Sequence, residues 1–459
     1  MATGKSKAGS AISDWAEQRT PFMPDDQKRL AAARRLTGHI HQQLELEFGF
    51  RLWDGSVVPP GWRGLTLCLN DPRVLTSMIR RRSLDVLIDA WSTKRLDLEG
   101  GSLFDLIEKR PSIRTRDIRK RLDKVLLVRC LLPFVFGEKA PGIGKTAADA
   151  ASNAGEENRD NDRQRQENRR NVAYHYDVSN AFYRLFLDER MVYSCGYFTD
   201  RENDIDLAQA DKLDMICRKL RLKPGDRFLD IGCGWGALVI HAATNYGVMA
   251  HGVTLSENQL ALARERVSEV GLADRIRLDL TDFSQLDGGY DKIASIGMFE
   301  HVGLDNHEAY FKAVARLLRP RGLYLHHAIT RRGKADDRTF RRKRPEYRSM
   351  VRYIFPGGEV DHPGMTIRNL ETHGFEVHDL EAWREHYGRT TRLWAERLVS
   401  RQEEAIAEAG EEITRLWLAY LTGVTIAFER GTLAIYQTLA SKRQRGPSGL
   451  PPTRDDLYK

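Results

Sequence analysis

The chain has 459 residues, 41% hydrophobic and 30% charged, with a formal net charge of +8. That length exceeds one ordinary core and predicts two domains, and the composition is that of a globular protein. No apolar run approaches the roughly 18 residues of a membrane-spanning helix. The five cysteines form neither a CxxC pair nor a zinc spacing, so no metal site is expected.

Residues 1 to about 35 read as a tail leading into a helix. The tail has basic residues but no apolar core of a secretory signal, which with the scattered cysteines points to a reduced cytoplasm. "ELEFGFRLWDGSVVPPGWRGLTLCLND" alternates in the manner of strands, broken at Pro59 and Pro60. "DPRVLTSMIRRRSLDVLIDAWSTKRLDLEGGSLFDLIEKR" then reads as helix, turn, short strand and helix. Residues 1–137 are therefore expected to form a small α+β domain. Residues 138–171, "EKAPGIGKTAADAASNAGEENRDNDRQRQENRRN", have almost no large apolar side chains to offset ordering and predict a flexible linker. Its "GIGKT" is no phosphate-binding loop, because Lys139 stands where the first glycine belongs and no apolar strand precedes it.

From Val172 to the end, short apolar runs alternate with helical stretches, which predicts an α/β domain with a doubly wound, mostly parallel sheet. Tyr387 to Lys442 reads as helices with aromatic faces and a last strand near "GTLAIYQTLAS". The densest basic run, "RTFRRKRPEYRSMVR" (Arg338 to Arg352), would attract nucleic acid, anionic lipid or an acidic substrate. No RNA-binding motif accompanies it, so no nucleic-acid partner is expected.

"FLDIGCGWG" (Phe228 to Gly236) is a strand ending in Asp230, then glycines at 232, 234 and 236. In a doubly wound sheet this first turn is where a ligand meets backbone. The spacing is G-x-G-x-G rather than the G-x-G-x-x-G of a pyrophosphate site. An acid beside such a turn suits a ligand with an amino group and a sulfonium, and S-adenosylmethionine has both. "VTLSENQ" closes the second strand with Thr254 and Gln259 where many nucleotide folds place an acid. Asp282 in "LTDF" follows the third strand, and both a turn role and an adenine contact are open for it. "KIASIGMFEHVG" (Lys292 to Gly303) is an apolar strand that stops abruptly at Glu300 and His301.

From "HYDVSNAFYRLFLDERMVYSCGYF" (His175 to Phe198) to the C-terminus, the chain closely resembles the cyclopropane-fatty-acyl-phospholipid synthases. "YSC", "LDIGCGWG", "GVTLSENQ", "GMFEHVG", "LHHAIT", "RYIFPGG" and "EHYGRTT" carry the match over about the last three fifths. The resemblance implies a class I S-adenosylmethionine-dependent methyltransferase. "RLWDGSVVP" and "LDLEGGSL" resemble the small sterol-carrier-like domain of bacterial members. The implied reaction is methyl transfer to a cis double bond in an unsaturated phospholipid, with a bound bicarbonate as base for the proton lost on ring closure. Its holders carry over as Cys195 and Ile329, through backbone N–H, and Glu300, His327 and Tyr387. The cofactor contacts carry over as Tyr193, Ser194, Gly232, Gly234, Thr254, Gln259 and Asp282, with Asp230 and Gly236 in the same turn. Phe182, Tyr183, Phe355 and Trp394 would supply aromatic walls for a developing carbocation. Some members have a cysteine where this chain has Val424, which weighs against covalent chemistry. The resemblance also implies a homodimer in the cytoplasm, held peripherally at the anionic surface of the inner membrane. Small-amine N-methyltransferases share some motifs but need not keep His327 and Tyr387. Relatives that leave a methylene or methyl branch are not separated from ring formers by these residues.

Overall fold

The structure is a computed structural model that describes residues 24–111, 115–140, 178–342, 349, 353–354 and 358–458. Packing divides the chain into two units, Met1–Gly142 and Ile143–Lys459. Most of the expected linker, from residue 141, lies outside the described residues. So do His175, residues 343–348 and 350–352 of the basic run, and Phe355.

In the first unit, helix α1 (Pro24–Leu44) packs on a four-stranded sheet of β1 (Gly49–Arg51), β2 (Val57–Val58), β3 (Thr66–Leu69) and β4 (Leu96–Glu99), in the order β2-β1-β3-β4. The strands are short because Gly55 and the Pro59–Pro60 pair interrupt the alternation. Between β3 and β4 run α2 (Arg73–Arg80) and α3 (Leu84–Ser92). Ser83 caps α3 by accepting from Asp85 N–H, and a reciprocal Ser102–Asp105 box starts α4 (Leu103–Glu108). Two further helices, α5 (Thr115–Arg121) and α6 (Lys124–Val135), close the unit, with Phe134 of α6 wholly buried beside Leu52, Val74 and Ala33.

In the second unit α7 (Asn180–Arg184) and α8 (Ile205–Lys219) precede a seven-stranded sheet. Its strands are β5 (Arg227–Ile231), β6 (Met249–Thr254), β7 (Ile276–Leu280), β8 (Tyr290–Ile296), β9 (Leu318–Arg331), β10 (Phe375–Ala382) and β11 (Leu433–Lys442). The order is β10-β11-β9-β8-β5-β6-β7, and β5 to β9 are parallel neighbours. The last strand, β11, inserts antiparallel between β9 and β10. Helices α9 (Ala237–Tyr246), α10 (Glu257–Glu269) and α11 (His307–Leu317) are the crossovers, and both faces carry an apolar core. After the short α12 (Asp337–Phe340) and α13 (Pro363–Thr372), three helices precede β11: α14 (Arg384–Ser400), α15 (Gln402–Ala409) and α16 (Glu411–Glu429).

Two sequence expectations change. The apolar strand ahead of Glu300 ends earlier, at Ile296, where Gly297 takes a left-handed φ of 67°. Glu300 therefore sits in a 3₁₀ turn, Phe299–His301, anchored by the buried Phe299 ring against His307, Tyr310 and His326. Arg341 of the basic run is not a free charge, since it pairs with Asp305 at 2.8 Å.

Candidate active site

The chain runs outward from β5 to β7 and then returns to β8 on the other side, so the sheet has its switch point at the carboxyl ends of β5 and β8. Open α/β sheets bind ligands there. A cavity of about 310 Å³ occupies that position. Gly232, Gly234 and Gly236 all have positive φ, at 83°, 53° and 83°, which bends the chain sharply between β5 and α9. A Cβ on Gly232 would lie 2.8 Å from Met298 Cγ, so this glycine lets the two loops meet. Gly236 does not line the cavity. A Cβ on Gly236 would lie 3.2 Å from Ala263 Cβ of α10, and the residue is the N-cap of α9, so it serves helix packing.

Of the residues expected to meet a cofactor, Tyr193, Ser194, Asp230, Gly232, Gly234, Thr254, Gln259 and Asp282 all line this cavity. Thr254 donates its hydroxyl to Gln259 Oε1 at 3.0 Å. That occupies the amide oxygen and leaves the NH₂ as the donor, which suits ribose hydroxyls in the absence of an acid. Asp282 accepts from Ser284 N–H at 2.8 Å, so it is a turn residue as well as a cavity residue.

Sequence reasoning missed Lys212. It is buried on α8, lines the cavity, and donates to Ser194 Oγ at 3.0 Å. One turn earlier Gln209 donates to the Ser194 carbonyl at 2.8 Å. The available signal was two polar residues, spaced i and i+3, on the buried face of an amphipathic helix. Burial pushes the Asp230 carboxyl up to about 7, and the Lys212 charge opposes that shift. The Lys212→Met enzyme is expected to bind S-adenosylmethionine about tenfold more weakly at pH 7, roughly 1.4 kcal/mol, because Asp230 loses its counter-charge and protonates. Calorimetry at pH 7 in an Asp230→Asn background tests this, since burial pushes Lys212 itself down to about 8 and a more alkaline comparison would discharge it. A loss of the same size in that background rules out Asp230 as the cause.

A second cluster lies at the ends of β8 and β9. Period-two alternation sends the histidine doublet of β9 to opposite faces. His326 packs on Phe299 and bonds Tyr324, while His327 faces Trp383, with ring centroids 5.5 Å apart. Glu300 Oε1 accepts from Ile329 N–H at 2.6 Å. The Ile329 donor thus holds the carboxylate itself, a different task from the one carried over from the resemblance. Cys195, Ile329 and Tyr387 share an apolar cluster with Trp383, Val424 and Phe428. Burial pushes the Cys195 thiol well up, so it is no nucleophile at neutral pH. Burial also raises Glu300, to about 7, against the lowering effect of the Ile329 bond. It holds His327 neutral, with the Lys212 and Lys219 charges acting in the same direction. Two buried atoms, Glu300 Oε2 and His327 Nε2, have no hydrogen-bond partner among the described residues.

Aromatic rings link the two regions. Tyr193 stacks on Trp394 at 5.2 Å, and the Trp394 ring meets Tyr387 edge-on at 6.2 Å. Phe182 and Tyr183 are fully buried behind them, against Trp417.

A seven-stranded sheet with one reversed strand, and a glycine turn at its switch point, defines a class I S-adenosylmethionine-dependent methyltransferase. The model of the mycolic acid cyclopropane synthetase family matches residues 163–438. A probable fatty acid methyltransferase of Pseudomonas putida is 37% identical over 422 residues, 91% of this chain and 98% of that protein. Cyclopropane mycolic acid synthase 1 of Mycobacterium tuberculosis is 36% identical over 280 residues, 59% of this chain and 96% of that one. The crystal structure of mycolic acid cyclopropane synthase CmaA1 complexed with SAH and CTAB superposes with a TM-score of 0.56 at 35% identity, covering 60% of this chain and 98% of that chain. The chain belongs to the mycolic acid cyclopropane synthetase family and is a methyltransferase of that kind.

Proposed function

We propose that this enzyme transfers a methyl group to the cis double bond of an unsaturated acyl chain in a membrane phospholipid and closes a cyclopropane ring, with bicarbonate as the base. When bound, S-adenosylmethionine supplies the electrophilic methyl and bicarbonate accepts the proton lost on ring closure. The supporting observation is two buried atoms without a hydrogen-bond partner among the described residues, Glu300 Oε2 and His327 Nε2, the latter on a ring that packs against Trp383. A carboxylate acceptor and an imidazole, both buried, suit an ion that carries both a charge and a proton. In that reading Glu300, fixed by Ile329 N–H, would accept a hydrogen bond from bicarbonate's own O–H, and His327 and Tyr387 would donate to the ion's oxygens. Tyr193, Trp394 and Tyr387 exclude water, and their π faces tolerate positive charge developing on the acyl carbons.

No helix among the described residues is long and apolar enough to cross a membrane, so the acyl chain would be reached from the bilayer surface. The net charge of +8 supports docking on anionic lipid, and a homodimer is the proposed assembly. The test is turnover on unsaturated, anionic phospholipid vesicles in carbonate-free buffer. The rate is expected to fall at least about tenfold and to recover when bicarbonate is added. Mass spectrometry and NMR of the lipid distinguish a ring from a methylene or methyl branch. Unmodified lipid with methylated small amines would replace this reading by the N-methyltransferase one. Vesicle binding that persists unchanged at high salt would remove the electrostatic part.

A further inference from the structure

The sheet register lines up three polar side chains across three strands. Glu381 of β10 pairs with Gln437 of β11, and Gln437 pairs with His327 of β9. Residues directly opposite on neighbouring strands share a face, so the three form one row. Lys219, the last residue of α8, lies over the row and is wholly buried. Its ammonium pairs with the Glu381 carboxylate, donates to Gln437 Oε1 at 2.7 Å, and sits 5.1 Å from the centre of the Trp383 ring. Gln437 Nε2 lies 2.9 Å from His327 Nδ1.

Hydrogen-bond polarity runs one way through this row. An ammonium only donates, so the amide must present its oxygen to Lys219. Its NH₂ then faces His327, and an NH₂ also only donates. Nδ1 must therefore carry the lone pair, and the single proton of the neutral ring is on Nε2. That Nε2 is the buried atom with no partner among the described residues. A second positive charge on the ring would face the Lys219 ammonium through one amide, which disfavours imidazolium.

We infer that Lys219 and Gln437 are positioning residues that lock His327 as the Nε2–H tautomer and so make it a fixed hydrogen-bond donor at the ends of β8 and β9. His327 then has no lone pair at Nε2 and cannot take a proton there, so the base of the reaction is another group. That the donor serves bicarbonate rests on the function proposed above; the tautomer does not. Glu381 keeps the lysine charged inside the protein, and an uncharged amine could accept as well as donate and would release the lock.

The experiment is ¹⁵N NMR of the full chain labelled at histidine, with the His327 ring assigned by its loss in His327→Asn. The expected parent pattern is a protonated Nε2 and an unprotonated Nδ1. Gln437→Glu keeps the shape but offers only acceptors, so the pattern should invert. Lys219→Met frees the amide to rotate, so both tautomers should appear. In Lys219→Met the bicarbonate concentration for half-maximal rate should also rise about fivefold, the scale of one hydrogen bond, with S-adenosylmethionine affinity unchanged. A parent ring protonated at Nδ1 or at both nitrogens overturns the inference. So does a ring that stays wholly Nε2–H in both variants. If the tautomers behave as expected while the rate ignores bicarbonate, the lock stands and the bicarbonate assignment falls.

Discussion

Glu300→Gln is expected to lower turnover by about 10²- to 10³-fold, the scale of losing one oriented polar group from a dry catalytic site. S-adenosylmethionine affinity should change by less than about twofold, since other residues line the cofactor cavity. The carboxylate has one oxygen held by Ile329 N–H and one buried oxygen without a partner among the described residues. Glutamine can keep the first bond only by turning its NH₂ into the second position. There it presents a donor where an acceptor is needed. The parent enzyme should also lose turnover as the pH falls through about 7, because burial places the Glu300 carboxyl there and protonation turns Oε2, the oxygen not held by Ile329, from an acceptor into a donor. Asp230 titrates in the same range, but it faces the cofactor cavity, so saturating S-adenosylmethionine removes its contribution. Burial raises Asp361 to about 7 as well, with the Glu300 charge acting in the same direction, so Asp361→Asn is the control and should keep the acid limb. Dissolved carbonate titrates nearby as well, so the bicarbonate concentration is held constant across the profile. In Glu300→Gln the acid limb should vanish from the residual activity. A variant with the parent rate and an unchanged acid limb would mean that the carboxylate only supports the fold.

The alternation of apolar strands with helical stretches was legible because both periods are local, and the glycine turn was legible because its residues are consecutive. The reversed last strand was legible as a strand near "GTLAIYQTLAS", but its antiparallel insertion between β9 and β10 is a long-range pairing that no local pattern encodes. That insertion brings Gln437 to His327, 110 residues away in the chain. Lys212 and Lys219 were illegible for a related reason. Each is a lysine on a helix, and an exposed position is the ordinary expectation for that residue. Only the packing of α8 on the sheet shows that both are buried. Glu300 was legible as an acid closing an apolar run, yet its 3₁₀ turn depends on Phe299 finding a pocket of rings formed by α11 and β9. Gly236 is the opposite case. Its place in the motif suggested ligand contact, whereas its neighbour is Ala263 of α10.

Gly234→Asn is expected to weaken S-adenosylmethionine binding at least about 100-fold, near 2.7 kcal/mol, while the protein stays folded. Gly234 has a φ of 53°, and a Cβ built there meets no protein atom within 4 Å. The residue lines the cavity, so the space beside it is cavity space. A side chain at this point therefore competes with the cofactor and not with the protein's own packing. Valine would confuse two effects, because a β-branched residue is strained at positive φ whatever surrounds it. Asparagine tolerates the left-handed region, at a cost of about 1–2 kcal/mol or less. That cost falls equally on the free and the cofactor-bound enzyme, so it lowers Tm without altering affinity. Gly271 provides the control. It has a φ of 67°, also meets nothing within 4 Å, and is exposed just beyond α10, away from the cavity. Gly271→Asn should therefore lower Tm by a similar few degrees and leave binding untouched. Calorimetric titration and thermal melts of the two variants separate backbone strain from occupied ligand space. Equal affinities in Gly234→Asn and Gly271→Asn would mean that the glycine turn shapes the loop without meeting the cofactor.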